Sequence, residues 1–548
     1  MKKIIFSAAA LAFFGVSTLR AQDIYKVDLL SQSDLNGDAR YVGMGGAMSA
    51  LGANLTAMGS NPASAGLYRR SDVALSAGFV QTPYNNTMIV GPSKTRGSFD
   101  QAGFLYSCNL GNNSGVKFVN MGFNYHKSRN YKNYIGLNCV NLPTLMNDGV
   151  PEGVSQSWQF ADLASDLNGY LLDLGYDDDR ELTTPSTLLA YDTYLIDAFD
   201  ENGESVGDRN VKIDHYLPSY ANNYDYHRAQ WGGIEDYDFN LSMNINERVY
   251  LGATFTVHNV DMHSSLVYAE ELYENGNVGS TAMYTMQQEE AISGTGYDGK
   301  FGIIVRPAEE NPFRFGLTIT TPTAFDLQSR NYASMATPYI GSDGNTCFAD
   351  VDLTNEYRIR TPWKLDVSAA TTIGTRFAID AEYQWANRSS AAVRYATDNH
   401  YNSSGIGYKT DIDIQDELTK YYKNVHTVRV GAEARLTDEL SLRAGYNYVT
   451  PSLDKKAYLN LFLDGSSYYY ATNTDYVNPG AINRLTFGLG YHHKAFYMDA
   501  AYQHTMQNVD VYPFHYDVND RLGANNILAP QSVGLHRNQL VMTMGFKF

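Results

Sequence analysis

The sequence is poor in cysteine and tryptophan, with 3 and 4 respectively among 548 residues. The odd set Cys108, Cys139 and Cys347 implies no disulfide framework, and Cys108 falls in a strand pattern where it reads as packing. Beyond residue 21 there is no apolar run of the roughly 18 residues that a spanning helix needs, which excludes a bundle of membrane helices. Cations are also scarce. The 41 Lys and Arg face 59 Asp and Glu, giving a net charge of −18. That balance excludes nucleic acid as a partner, because its phosphates need Lys and Arg to neutralise them.

What is present begins with an export signal. Lys2 and Lys3 precede a short apolar run, Ile4 to Val16, and Ala21 with Gln22 reads as the cleavage site. Residues 1–21 are therefore set aside, and Gln22 in place of a cysteine gives no lipid anchor. No linker divides the remainder, so one large domain is expected. The 43 Tyr of the full sequence exceed its 24 Phe, which suits the aromatic girdles of a barrel.

Period-2 alternation recurs in fourteen segments. These are 73–82, 100–109, 115–125, 237–246, 249–258, 297–306, 313–321, 364–373, 376–386, 426–436, 440–449, 484–492, 495–504 and 538–548. Each is about ten residues, the length a tilted strand needs to cross a bilayer. In 376–386, Phe377, Ile379, Ala381, Tyr383 and Trp385 oppose Asp380, Glu382 and Gln384. A sandwich shows the same alternation, but the connections decide between them. Gaps alternate between short and long, the pattern of tight periplasmic turns and long external loops. The fold class is thus all-β, a 14-stranded antiparallel transmembrane barrel over residues 73–548 in the outer membrane, in contact with its lipid. A final strand ending Phe546-Lys547-Phe548 reads as a signal to the barrel assembly machinery. The long external connection 126–236 changes to helical spacing, and a helix is expected over 152–176.

No catalytic constellation converges. His492, His493, His504, His515 and His536 lack a nucleophile elbow nearby, so an enzyme is not expected and a barrel hydrolase is disfavoured. Asp34 to Asp38 imitates the opening of a calcium loop but has Ala39 where the turn glycine belongs, leaving at most a loose cation site. No metal or other cofactor is implied. Lys300, Arg306, Arg314, Arg429, Arg435 and Arg443 point inward by parity. Arg306, Arg314, Arg429 and Arg443 are candidates to hold a ligand carboxylate by charge-assisted hydrogen bonds. The alternative is pairing with Asp380, Glu382 or Glu433 on neighbouring strands.

Residues 22–72 precede the first strand and are too many for a tail. A lumen fourteen strands wide is more than wall side chains can fill, so this segment is expected as a hatch. Arg40-x-x-Gly43-x-Gly45-Gly46-Ala47, followed by Asn61-Pro62-Ala63 and a strand, resembles the FadL/TodX family of hydrophobic-compound transporters. The segments Phe313 to Pro322 and Thr361-Pro362-Trp363 are similar in weaker form. The resemblance implies a hatch-plugged barrel for passive uptake of hydrophobic molecules such as long-chain fatty acids. It implies gating at Gly45, Gly46 and Asn61-Pro62-Ala63, and lateral exit near a kink in the third strand. Within 115–125 the apolar face slips at Phe118–Val119, ahead of Gly122. A β-bulge gives such a slip, and so does a strand with two apolar faces. The rival reading is a FadL-like barrel serving as scaffold or carrier in a surface secretion or lipoprotein assembly.

Overall fold

The computed structural model describes residues 23–82, 95–111, 115–147, 150–165, 183–203, 205–206, 215–218, 221–274, 277–308, 310–340, 346–387, 390–397, 407–459, 461, 472–515 and 528–548. The expected export signal lies outside these residues. No helix among them is long and apolar enough to cross a membrane.

Fourteen strands close into one antiparallel barrel. They are β1 Asp72–Gln81, β2 Thr95–Asn109, β3 Val116–Asn130, β4 Ala221–Ile245, β5 Val249–Glu274, β6 Asn277–Val305 and β7 Arg314–Thr320. The ring continues with β8 Lys364–Ile373, β9 Phe377–Ala386, β10 Val425–Arg435, β11 Leu440–Val449, β12 Tyr476–His493, β13 Phe496–Tyr512 and β14 Gln531–Lys547. β14 closes on β1 from Asp72↔Lys547 to Gln81↔Asn538.

The faces are inside out relative to a sandwich. Leu75, Phe255 and Phe301 stand 55%, 51% and 60% exposed, while Asp238, Asn240, Ser242 and Asn244 on β4 are buried. Large apolar side chains turned outward along every wall need a hydrocarbon solvent, and the polar inner face needs partners in the lumen. The chain is an outer-membrane barrel.

Several strands run longer than the alternation predicts. β6 spans 29 residues against 10 for β8. The reason is an inversion of faces. On β5, Ala253, Phe255 and Val257 face out with Thr256 and His258 inward. Past His258 the outward residues become Asn259, Asp261 and His263, and the inward ones Val260, Met262, Leu266 and Tyr268. The strand leaves the lipid there and becomes an ordinary water-facing sheet with an apolar interior.

The six short turns and the Ser71/Phe548 backbone pair, bonded in both directions at 3.0 Å, share one rim. The opposite rim carries the extensions. Above Tyr297, β6 exchanges β7 for an added hairpin, Ala324–Ile340 with Thr346–Arg360. The 126–236 connection is therefore shorter than the sequence reading made it, since β3 runs to Asn130, Asn133–Asn141 pairs with β4, and β4 starts at Ala221. Its helix, α3, is described over Gln156–Ser165; residues 166–182 of the expected 152–176 helix region and beyond lie outside the described residues, and Val150–Gly153 is instead a hairpin strand. A second helix, α4, spans Pro185–Asp192 with Thr184 as its N-cap. Phe160, Leu188 and Leu189 pack with Tyr224, Tyr268 and Tyr284 of the extended wall, so the insertion covers the mouth.

Candidate functional site

The N-terminal segment threads the lumen from the capped end to the short-turn rim. Helix αN1, Ile24–Ser31, is capped by Asp23 and surrounded by apolar side chains of the extensions, among them Val260, Met262 and Ile292. A short helix, αN2, Ala39–Gly43, is capped by Asp38, whose carboxylate accepts from Tyr41 N at 3.0 Å and from Asn54 Nδ2 at 2.8 Å. Gly45 and Gly46 follow at φ +66° and +80°, a left-handed turn that a Cβ would strain. The turn presents four successive N–H groups to two wall carboxylates on β9. Glu382 accepts from Met48 and Ser49 at 2.7 and 2.6 Å, and Asp380 from Ala50 and Leu51 at 3.1 and 2.9 Å. Buried backbone donors in a lumen have no water to turn to, so these contacts fix the segment to the wall.

Asn61, Pro62 and Ala63 open a 3₁₀ turn in which Asn61 Oδ1 accepts from Ala63 N at 3.0 Å. They sit against β4 to β7. Asn240 donates to the Pro62 carbonyl at 3.1 Å; a Cβ at Gly252 or Gly302 would collide with Pro62 or Asn61, and one at Gly316 would stand 3.1 Å from Asn61 Nδ2. The third strand is touched elsewhere. Asn120 donates to the carbonyls of Ala65 and Tyr68, and a Cβ at Gly122 would lie 2.9 Å from Met58.

On β3 the register shifts fall between Val116 and Phe118 and between Lys127 and Arg129, rather than at Phe118–Val119. Val119 and Met121 continue the outward parity, and Phe118 lies at the short-turn end of the strand. The second shift matters more. β2 and β3 are paired from Asn109↔Phe118 to Gln101↔His126. Beyond that point β2 pairs with β1 and β3 with β4. The N-terminal segment fills the seam: Asp34 N donates to Ser128 O at 2.7 Å, and Asn36 Nδ2 donates to Lys127 O at 3.0 Å and to Asp100 at 3.2 Å.

The expected lumen cations divide. Arg429 bonds Glu382 at 3.0 Å, and Arg443 bonds Glu433 at 2.6 Å and Asp499 at 2.5 Å. Their charges already answer wall carboxylates. Arg314 donates to Leu51 O at 2.8 Å, holding the segment. Arg306 lies in the short turn, donating to Asn311 O at 3.0 Å, and Arg435 is exposed at the same rim. Lys300 joins a compensated network in which His258 bridges Asp236 at 2.7 Å and Asp298 at 2.8 Å. That network lines a polar cavity of 170 Å³.

A second cavity, of 210 Å³, opens beside the seam and is lined by Arg129, Arg484 and Arg537. All three meet Asp34, at 3.2, 3.5 and 3.0 Å. Burial alone would raise the Asp34 carboxyl, but Arg537, Arg129 and Arg484 hold it well below the usual carboxylate range. The loose cation site expected at Asp34 is thereby ruled out: the carboxylate faces three guanidinium groups, and no metal-binding cluster occurs among the described residues. Sequence reasoning missed this trio because each arginine lies just past, or at the very end of, a strand segment read by its apolar outer face. Continuing the inward parity of 538–548 and 484–492 outward by a turn's length was the available signal.

No family model and no curated protein matches the chain. Solved structures do match. The Ralstonia pickettii toluene transporter TbuX aligns at 13% identity with TM-score 0.46, covering 94% of this chain and 99% of that one. A Pseudomonas aeruginosa FadL homologue aligns at 12% identity and TM-score 0.47, covering 94% and 100%. The chain resembles FadL/TodX-type channels. The Pseudomonas putida toluene transporter TodX aligns at 14% identity and TM-score 0.43, covering 94% and 99%. The architecture rests on the chain's own strand pairings.

Proposed function

We propose that this barrel passes hydrophobic molecules, long-chain fatty acids among them, passively across the outer membrane. Capture is at the capped outer mouth, passage is gated by the N-terminal hatch, and exit is sideways between β2 and β3. The observation that carries the reading is the loss of pairing between these strands above Gln101↔His126, with hatch residues Asp34 and Asn36 bonded into the seam. Strands that part in an otherwise closed wall leave unpaired backbone groups, which in lipid are costly unless protein covers them. A movable segment that covers them is a gate. The parting begins at His126, in register through Asp236 with His258, so an apolar solute leaving there is delivered at the edge of the hydrocarbon layer. The reading is of a channel, not an enzyme.

The test is a reversible staple. With the three native cysteines replaced by serine, Phe99→Cys and Lys127→Cys place thiols on the outward face of the two parting strands. Oxidation is expected to stop uptake of a labelled hydrophobic solute by cells, and reductant to restore it. Full uptake in the stapled protein would remove lateral exit. Stoichiometric co-purification of another protein, with no solute uptake, would favour the scaffold role.

A further inference from the structure

The trio around Asp34 carries more positive charge than Asp34 alone answers. Three guanidinium groups meet one carboxylate, and Arg484 is only 2% exposed. The nearby carboxylates are engaged elsewhere. Asp475 takes Arg228 at 3.0 Å and Tyr226 at 2.6 Å, Asp23 caps Lys26 N at 2.8 Å, and Asp28 accepts from Gln32 at 2.6 Å. Lys26 is paired with Glu290. The Nε atoms of Arg129, Arg484 and Arg537 are buried without a hydrogen-bond partner among the described residues. Buried cations are ordinarily paired, because removing them from water is costly. An anion in the adjoining cavity supplies what is missing.

Size and lining narrow the anion. At 210 Å³ the cavity is below the ~300–1,000 Å³ typical of pockets for drug-sized ligands, and somewhat above the ~150 Å³ that admits benzene. Tyr25, Tyr131 and Tyr476 line it with Ile482, Val509 and Leu535. Tyr25 donates its hydroxyl to Asn478 at 2.9 Å and Tyr131 donates to Leu29 O at 3.3 Å, so these rings offer apolar surface rather than open hydroxyls. Arg129 already lies 5.7 Å over the Tyr131 ring, the geometry in which guanidinium and aromatic surfaces attract.

We propose that this cavity is a binding site for a small ring-bearing carboxylate, with the carboxylate at Arg129, Arg484 and Arg537 and the ring among the tyrosines. It rests on the channel reading for its place on the path and narrows it: the site selects a compact aromatic acid over a long saturated chain.

The test is equilibrium binding to the full-length barrel in lipid nanodiscs, with 2-naphthoate as probe and 2-methylnaphthalene and hexadecanoate as rivals. Naphthoate is expected to bind saturably at one site, with methylnaphthalene and hexadecanoate each about ten-fold weaker or worse, since the charge-assisted bonds or the fit are lost. Arg537→Gln should weaken naphthoate by about ten-fold. Asp34→Asn should strengthen it by removing the competing carboxylate, a direction that misfolding does not produce. Unchanged affinity in both variants, or tighter binding of hexadecanoate than of naphthoate, overturns the proposal. Because this assay measures no transport, its failure leaves the seam-staple result standing, and the reverse also holds.

Discussion

Gly302 on β6 stands where a Cβ would collide with the side-chain oxygen of Asn61. The wall and the N-terminal segment are therefore fitted to each other at the level of single atoms, and the glycine is a property of the pair. Gly302→Val is expected to push the 61–63 turn off the wall at a cost of about 1–3 kcal/mol, the usual range for overpacking. Limited proteolysis of the N-terminal segment within the folded barrel checks this. Protection equal to that of the unaltered protein would show that the turn accommodates the methyl groups.

Glu382 carries two duties, receiving Met48 and Ser49 N–H groups and pairing with Arg429. Glu382→Ala leaves two buried backbone donors without partners and Arg429 with only its longer contact to Asp366, at 3.6 Å. Breaking a buried pair in this way costs about 3–5 kcal/mol. The N-terminal segment should loosen, and conductance in planar bilayers should rise. An unchanged conductance would mean that Asp380 alone holds the turn.

The face inversion at His258 fixes where β5 leaves the lipid. Phe255→Arg is expected to destabilise the barrel by about 2–4 kcal/mol, the cost of an arginine near the bilayer midplane. Ser265→Arg, ten residues further on and on the same outward parity, should cost little. Denaturant unfolding in lipid vesicles distinguishes the two. Equal costs would place the membrane boundary elsewhere.

Glu270 lies on the extension of β5, outside the membrane, fully buried beneath the mouth-covering insertion. It accepts from Gln156 N, in the first turn of α3, at 2.7 Å and from Tyr268 at 2.6 Å. Burial pushes its carboxyl up to about 7, the hydrogen bonds opposing this only in part. A carboxyl raised on folding favours the folded cap below its unfolded value of 4.5, and that contribution is lost as pH rises through about 7. The protection factor over Gln156–Ser165, the exchange rate corrected for intrinsic base catalysis, should therefore fall between about pH 4.5 and 7. Glu270→Gln should flatten the dependence; a persisting pH step would assign it to another group.

Much of the barrel was legible in the sequence. Segments 364–373 and 440–449 coincide with β8 and β11 because those strands begin and end within the lipid. For β4, β5 and β6 the reading stopped at the membrane edge, where the apolar face changes sides while the backbone continues. Strand parity tells inside from outside but carries no information on a partner across the lumen. Arg429 and Arg443 are inward and already neutralised; Arg129 and Arg537 fell beyond the segments that parity covered.

The sequence by itself determined strand number, closure, loop parity and the polar lining, because each follows from a two-residue period and the lengths between periods. It also carried the small-residue segment that resembles a hatch. Only the tertiary structure decided which carboxylate meets which cation, where β2 and β3 part, and that Asp34 gathers three arginines from β3, β12 and β14. Those relationships join residues up to 503 positions apart, brought together by barrel closure around a threaded segment. No local pattern encodes such a distance, since the contact is a property of the closed ring.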